Sequence, residues 1–271
     1  MKFKITTIVA IGILITSCKG EQSANKEALK TPVVTNKGQE LVSKMLDKVG
    51  DYNTLRTKKD VLYTYTYQTA DGKTDISTEK YIFDGELSYG KYELHERTLS
   101  DLEGTIEQGY DGKEFWLKQN GEILNDSIAL KKVAFNRPTN FYWFTMFQKL
   151  MDKGVTYKYL GEETLNDIAY EVVKISFNFG ESKPTDIYQL YINKNTSLVD
   201  QFLFTVADFA VVETPYLMTL KYEEVDGMLL PTKRKYKKST WKAAVNDAPW
   251  TTVNWSNIKF NNALNKREFK K

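Results

Sequence analysis

Two side chains in this chain of 271 residues carry the chemistry most enzymes depend on: one cysteine, Cys18, and one histidine, His95. A Ser-His-Asp or Cys-His couple needs a histidine beside its nucleophile. His95, inside Glu93-Leu94-His95-Glu96-Arg97, reads instead as a half-exposed strand residue. Zinc sites built on two or three histidines cannot be assembled from one. No Walker loop, glycine-rich dinucleotide turn or His-Glu-x-x-His run occurs. The pairs Glu162-Glu163 and Glu223-Glu224 are neighbours in sequence, so on a strand their carboxylates point to opposite faces, as solvated charge does. Two distant carboxylates could still act as acid and base, which keeps a carboxylate-dependent hydrolase as an alternative. The expectation is a non-enzymatic protein with no catalytic residue, no metal and no cofactor.

The cysteine has a different chemistry in its surroundings. Lys2 and Lys4 precede an apolar run from Ile5 to Ile15, far shorter than the roughly 20 residues that span a bilayer, and small polar residues follow. The segment Ile15-Thr16-Ser17-Cys18 resembles the lipobox of bacterial lipoproteins, in which the cysteine becomes the lipidated N-terminus. That resemblance implies a signal peptide at 1–17, lipidation of Cys18, and no thiol left for disulfides or thiolate chemistry. Acyl chains hold a protein on a membrane through about 0.8 kcal/mol per buried methylene. Residues 18–36 are then a polar tether, rich in Lys, Glu, Ser, Asn and Thr. Lys19 stands where enterobacterial lipoproteins kept at the inner membrane carry Asp, so an outer-membrane address is expected. Lys19-Gly20-Glu21 resembles the surface-export signals of Bacteroidetes lipoproteins, leaving both the periplasmic face and the cell surface open.

Three further clusters could bind something. Phe141-Tyr142-Trp143-Phe144-Thr145-Met146-Phe147 is apolar nearly all round a helix. It fits a core plug, a wall shared with an apolar ligand, or a membrane-dipping helix, the last disfavoured by its weak polar face. Trp116 is read with it, so Trp116, Phe141, Tyr142, Trp143, Phe144 and Phe147 are the expected ligand-lining set. The run Lys233-Arg234-Lys235-Tyr236-Lys237-Lys238 reads as an edge strand guarded by lysines, with a headgroup-binding patch as the alternative. Trp241, Trp250 and Trp255, read as exposed, mark a recognition loop from Lys238 to Thr252 that could bind a glycan or a protein partner. The net charge of +3 is too small to argue for a nucleic-acid partner.

These residues must sit on a β-rich frame. Asp71-Gly72, Asp84-Gly85, Asp111-Gly112, Asn120-Gly121 and Asp226-Gly227 tolerate positive φ and close tight hairpins. From Val61 to Gln68 the residues alternate, with Val61, Tyr63, Tyr65 and Tyr67 on one face. About a dozen strands follow in this manner between Val61 and Phe260, and a meander this long must curl or close. A helix is expected from Gln39 to Val49 with Gly50 as its stop, a short one from Ser127 to Ala134, and the aromatic helix between Asn136 and Met151, opening at Pro138.

The hairpin Tyr222-Glu223-Glu224-Val225-Asp226-Gly227-Met228-Leu229-Leu230-Pro231-Thr232-Lys233, together with one early amphipathic helix and an aromatic helix inserted mid-meander, resembles the outer-membrane lipoprotein-sorting superfamily of LolA and LolB. Tyr110-Asp111-Gly112-Lys113-Glu114-Phe115-Trp116 and the helix from Asn140 to Met151 resemble an uncharacterised Bacteroidetes lipoprotein family of that fold. The resemblance spans most of residues 37–262. It implies a mainly β, α+β fold in which a curved half-open barrel is plugged or lidded by helices, and a cavity that carries acyl chains or another apolar ligand. It offers no catalytic residues. The lipidated cysteine departs from the soluble transfer factor and argues against a shuttle. The expected protein is thus an anchored lipoprotein, with residues 37–271 forming one domain that binds a lipid.

Overall fold

The computed structural model describes residues 36–178, 185–209 and 211–271. The expected signal peptide, Cys18 and the tether lie outside these residues. The described residues cluster as one compact unit.

Helix α1 (Lys37–Val49) forms because Asn36 caps it, accepting from the Gln39 amide, and because Leu41, Val42, Met45, Leu46 and Val49 share one face that is buried. Gly50 ends it at φ 81°, a conformation glycine reaches without a Cβ penalty. A one-and-a-half-turn helix that the sequence reading did not foresee, α2 (Tyr52–Thr57), follows under an Asp51 cap.

Strands β1 (Asp60–Gln68), β2 (Thr74–Ile82), β3 (Leu87–His95), β4 (Ile106–Tyr110), β5 (Phe115–Gln119) and β6 (Glu122–Ile123) then run as a meander. Helix α3 (Ser127–Thr145) interrupts it, and β7 (Val155–Leu165), β8 (Ile168–Phe177), β9 (Ile187–Asn193), β10 (Val199–Val206), β11 (Val211–Val225), β12 (Met228–Lys238) and β13 (Thr251–Phe260) complete it. Among the described residues these thirteen strands make one antiparallel sheet in the order β6-β5-β4-β3-β2-β1-β13-β12-β11-β10-β9-β8-β7. All five Asp-Gly and Asn-Gly turns carry glycine at positive φ, and at Asn120-Gly121 and Asp226-Gly227 both turn residues do, the pattern of two-residue hairpins. The β7–β8 turn, Asn166-Asp167, also has both residues at positive φ, but without glycine it gave no sequence signal.

This topology places α3. The helix lies in the connection from β6 to β7, the two edges of the sheet, so it must travel from one edge to the other across one face. The sheet curls around it without closing: Phe144 on α3 meets Tyr63, Phe83 and Trp255 from the β1–β2–β13 region, while Trp143 meets Phe202 and Phe204 on β10. The expected curved half-open barrel with a helical plug is what the chain forms.

Two expectations about local structure fail. The helices expected at Ser127–Ala134 and from Pro138 onward are a single helix, with Pro138 inside it. Proline removes one backbone donor and discourages helical geometry at the preceding residue, which is why a boundary is the natural expectation. Here the preceding residue, Arg137, is held in helical geometry by a fully buried ion pair described below. The basic run is not an edge strand either: β12 is paired on both sides, with β11 and β13.

Candidate functional site

The inner face of the sheet receives α3 through a charge pair. Arg137 and Glu79 on β2 are both 0% exposed, with Arg137 Nη1 donating to Glu79 Oε2 at 2.8 Å and Nη2 to Oε1 at 3.3 Å. Nη2 also donates to the Tyr92 hydroxyl at 3.2 Å, while Ser77 and Tyr81 donate to the same carboxylate. Burial alone would lower the affinity of the guanidinium for its proton. The Glu79 charge and its hydrogen bonds, together with Tyr92 and Tyr81, more than offset this and hold the Arg137 pKa above its ordinary value. Gly90 on β3 makes room: a Cβ there would stand 2.5 Å from Arg137 Nη1 and 2.7 Å from Glu79 Oε1.

With α3 pinned, the aromatics of its last turns and of the turn that follows it divide into two sets. Phe141, Phe144 and Phe147 are 2–3% exposed and belong to the core. Phe144 packs 5.1 Å from the Tyr63 ring and 4.9 Å from Trp255, and Phe147 packs 5.9 Å from Phe202. Tyr142 and Trp143 are only half-buried and face open space. Trp143 lines a cavity of about 330 Å³ between α3 and strands β1, β10, β11, β12 and β13, with Phe204, Tyr216, Met218 and Tyr236 on its walls. Its mouth is flanked by Phe135 and Phe209, 37% and 64% exposed, whose rings meet edge to face at 5.3 Å. A second space, of about 350 Å³, opens between α3 and β3–β4, where Phe141, Tyr142 and Phe115 share the lining with Glu86 and Lys149.

Polar groups converge on the first cavity. Asn136, Thr139 and Asn140 face it from α3, at the i, i+3, i+4 spacing of one helix face. Arg97 reaches it from the segment after β3. Its Nε lies 3.2 Å from the fully buried carboxylate of Asp75, and its guanidinium sits 4.1 Å over the Tyr67 ring. The Tyr67 and Tyr236 hydroxyls are hydrogen-bonded to each other across the wall. Arg234 on β12 also lines the cavity, at 5% exposure. Among the described residues it makes no ion pair, and its Nε has no hydrogen-bond partner. A long bond from Nη1 to the Trp143 carbonyl, 3.4 Å, and the Trp255 indole 3.9 Å beneath the guanidinium are its contacts. Burial pulls its pKa down to about 10, partly countered by Tyr65, Tyr63 and Tyr81.

The structure separates Trp116 from the other expected lining residues. Its neighbour Leu117 faces α3, whereas Trp116 points to the outer face, where its indole donates to the Phe269 carbonyl at 2.6 Å and covers Gly109. The tryptophans read as one exposed loop also part company. Trp255 is 3% exposed and belongs to the core under α3. Trp241 and Trp250 are half-buried on the outer face, packed near Tyr170, Tyr191 and Leu217. Lys235 and Lys237 stand 4.7 and 4.5 Å over Trp250, and Lys233 pairs with Glu223. His95 places Nε2 2.9 Å from the Gly104 carbonyl, a loop contact. Glu162 is ion-paired at the surface with Lys194.

Arg137 and Arg234 are the residues that sequence reasoning missed, and each left a signal. Ala129, Val133, Arg137 and Phe141 form an i, i+4 ladder whose other members are apolar. Leu230, Thr232, Arg234 and Tyr236 share one face of a strand that begins in the core, so the arginine in the basic run points inward while Lys233, Lys235 and Lys237 point out.

No family model matches the chain, and no curated protein does. Solved structures do match. A DUF1329 family protein from Desulfovibrio piger aligns over 87% of this chain and 98% of its own, at 14% identity and a TM-score of 0.51. A LolA superfamily protein from Nitrosomonas europaea aligns over 88% and 99%, at 12% identity and 0.49. A putative outer membrane lipoprotein-sorting protein domain from Vibrio parahaemolyticus aligns over 84% and 97%, at 12% and 0.46. At these identities the likeness is one of fold, and the Desulfovibrio piger protein shares it along almost its whole length.

Proposed function

We propose that this protein is a non-catalytic carrier or receptor for a lipid or another apolar molecule, held on the outer membrane of the cell envelope by acylation of Cys18. The observation that carries the reading is the space of about 330 Å³ beside Trp143. It lies at the lower end of the ~300–1,000 Å³ typical of small-molecule pockets, and like them it combines aromatic walls with a few convergent polar groups. Trp143, Phe204, Tyr216 and Tyr236 are the surface a ligand would touch there, while Phe144 and Phe147 are fixed in the core and Tyr142 faces the second space. The anchor is supported by the basic start, the short apolar run and the position of Cys18. A tether of about twenty polar residues gives such a domain reach from the membrane surface.

The test is to purify the chain carrying Cys18→Ser without detergent and analyse organic extracts by mass spectrometry. A stoichiometric apolar compound is expected. If nothing co-purifies and a hydrophobic fluorescent probe does not bind, the carrier reading is wrong.

A further inference from the structure

Three arginines reach the interior face of this sheet, Arg137 and Arg234 buried and Arg97 partly exposed, and two of them have acidic partners. Arg137 is matched by Glu79, and Arg97 by Asp75. Among the described residues Arg234 has no acidic partner, although it is more buried than Arg97 and sits between Leu220 and Val253 in the sheet register, a place where an aliphatic side chain would fold without cost. A buried charge without a counter-charge is retained against a standing penalty, because water no longer solvates it and no carboxylate replaces the water. The groups around it make the imbalance plain. Tyr63, Tyr65 and Tyr81 are the titratable neighbours, all neutral at ordinary pH, and Trp255 offers a ring face below and a further unpartnered buried donor in its Nε1. Donors without acceptors therefore gather at Arg234, on the cavity wall, and just beneath it.

Apart from Arg97 and the α3 residues Asn136, Thr139 and Asn140, the rest of that cavity is mainly apolar or aromatic. Beyond Arg234 its walls are Phe204, Met218, Tyr216 and Trp143, and it opens past Phe135 and Phe209. A guanidinium whose plane is fixed by a stacked indole presents its N–H fork in one direction, the geometry that suits a carboxylate or phosphate oxygen pair. We propose that Arg234 is the anion-binding subsite of this cavity, and that the ligand is an amphiphile with one acidic head, a carboxylate or a phosphate monoester, whose apolar chain runs along Trp143 and Phe204 to the mouth. The inference rests on the carrier reading and gives it a ligand class. The head neutralises Arg234, and the chain replaces water against the aromatic wall.

The probes are laurate, its uncharged methyl ester, and inorganic phosphate as a head without a chain, titrated calorimetrically into the whole chain carrying Cys18→Ser. Laurate is expected to bind at least about tenfold more tightly than methyl laurate, the ratio that one charge-assisted hydrogen-bonded pair supplies. Arg234→Met is expected to lose that preference by binding laurate more weakly while holding methyl laurate as before, and to melt no lower than its parent. Arg234→Lys keeps the charge and is expected to retain part of the preference, which separates loss of the cation from loss of the fold. Equal binding of laurate and its ester by the parent, or undiminished laurate binding by Arg234→Met, overturns the subsite and leaves the carrier reading standing. Binding of neither amphiphile overturns both. Displacement of laurate by equimolar phosphate would show a small-anion site and overturn the amphiphile.

Discussion

Replacing Glu79 by glutamine removes one charge from the pair that pins α3 and leaves the shape of the side chain in place. Arg137 then remains fully buried, with a neutral amide where a carboxylate stood 2.8 Å away, and its Nε already has no partner. Stranding one member of a buried pair costs about 3–5 kcal/mol. In a protein of this size each kcal/mol lowers the melting temperature by about 2–4 °C, so Glu79→Gln should melt roughly 6–20 °C below the parent. Urea denaturation should show a lower midpoint at unchanged slope, since the same surface is exposed on unfolding. The second variant decides the cause. Glu79→Gln with Arg137→Met removes the stranded charge, keeps an acceptor for the Ser77 and Tyr81 hydroxyls, and should recover at least half of the loss. The reasoning is refuted if Glu79→Gln lies within about 1 kcal/mol of the parent, or if the double variant is no more stable than the single one.

Gly90→Ala places a methyl group against the same pair and should destabilise by about 1–3 kcal/mol in the same assay, whereas Gly72→Ala meets no atom within 4 Å and differs from the parent only by the backbone cost of its positive φ. Phe144→Ala should cost about 3–5 kcal/mol, since its ring is enclosed by Tyr63, Tyr81, Phe83 and Trp255, while Trp143→Ala, at the cavity wall, should cost less and weaken probe binding more. Alkaline unfolding should be steep. Burial raises Tyr63, Tyr81 and Tyr188 well above their ordinary value of 10 and pushes Tyr142 up to about 12. Because the folded values exceed the unfolded one, this contribution is whole below pH 10 and drains away as pH rises through the folded values, so tyrosinate absorbance and loss of circular dichroism should move together. Metabolic labelling with a fatty-acid analogue should mark the natural chain and not Cys18→Ser; equal labelling of both would remove the anchor.

Much of the frame is legible in the residues because the signals are local. A turn at Asp226-Gly227 needs only two residues that accept positive φ, and the tyrosine face of β1 needs only period two. Helix α1 follows from five apolar residues and one glycine. What escapes is decided by contacts distant in sequence. Pro138 marks a boundary until Glu79, 58 residues earlier, holds Arg137 in helical geometry. Trp116 belongs with the aromatic helix by composition, and only strand parity and the Phe269 carbonyl, 153 residues away, carry it to the other face. Arg234 is hidden among lysines because composition groups it with them, while the alternation from Leu230 separates it from Lys233, Lys235 and Lys237.

The pairing of β1 with β13 has a consequence for how such a chain comes to be folded. Val61 stands opposite Phe260, so the seam at the middle of the sheet joins segments some two hundred residues apart, while nearly every other strand pairs with its sequence neighbour. A chain that folds from its N-terminal side can zip β1 to β6 as hairpins at once, but β1 keeps a bare hydrogen-bonding edge, with Tyr63 and Tyr65 on it, until β13 has followed. Closing that seam is the step with the longest loop and the slowest expected rate. Until then the open edge is the surface on which other strands can add, so assembly depends on the last strand arriving before a neighbouring molecule does.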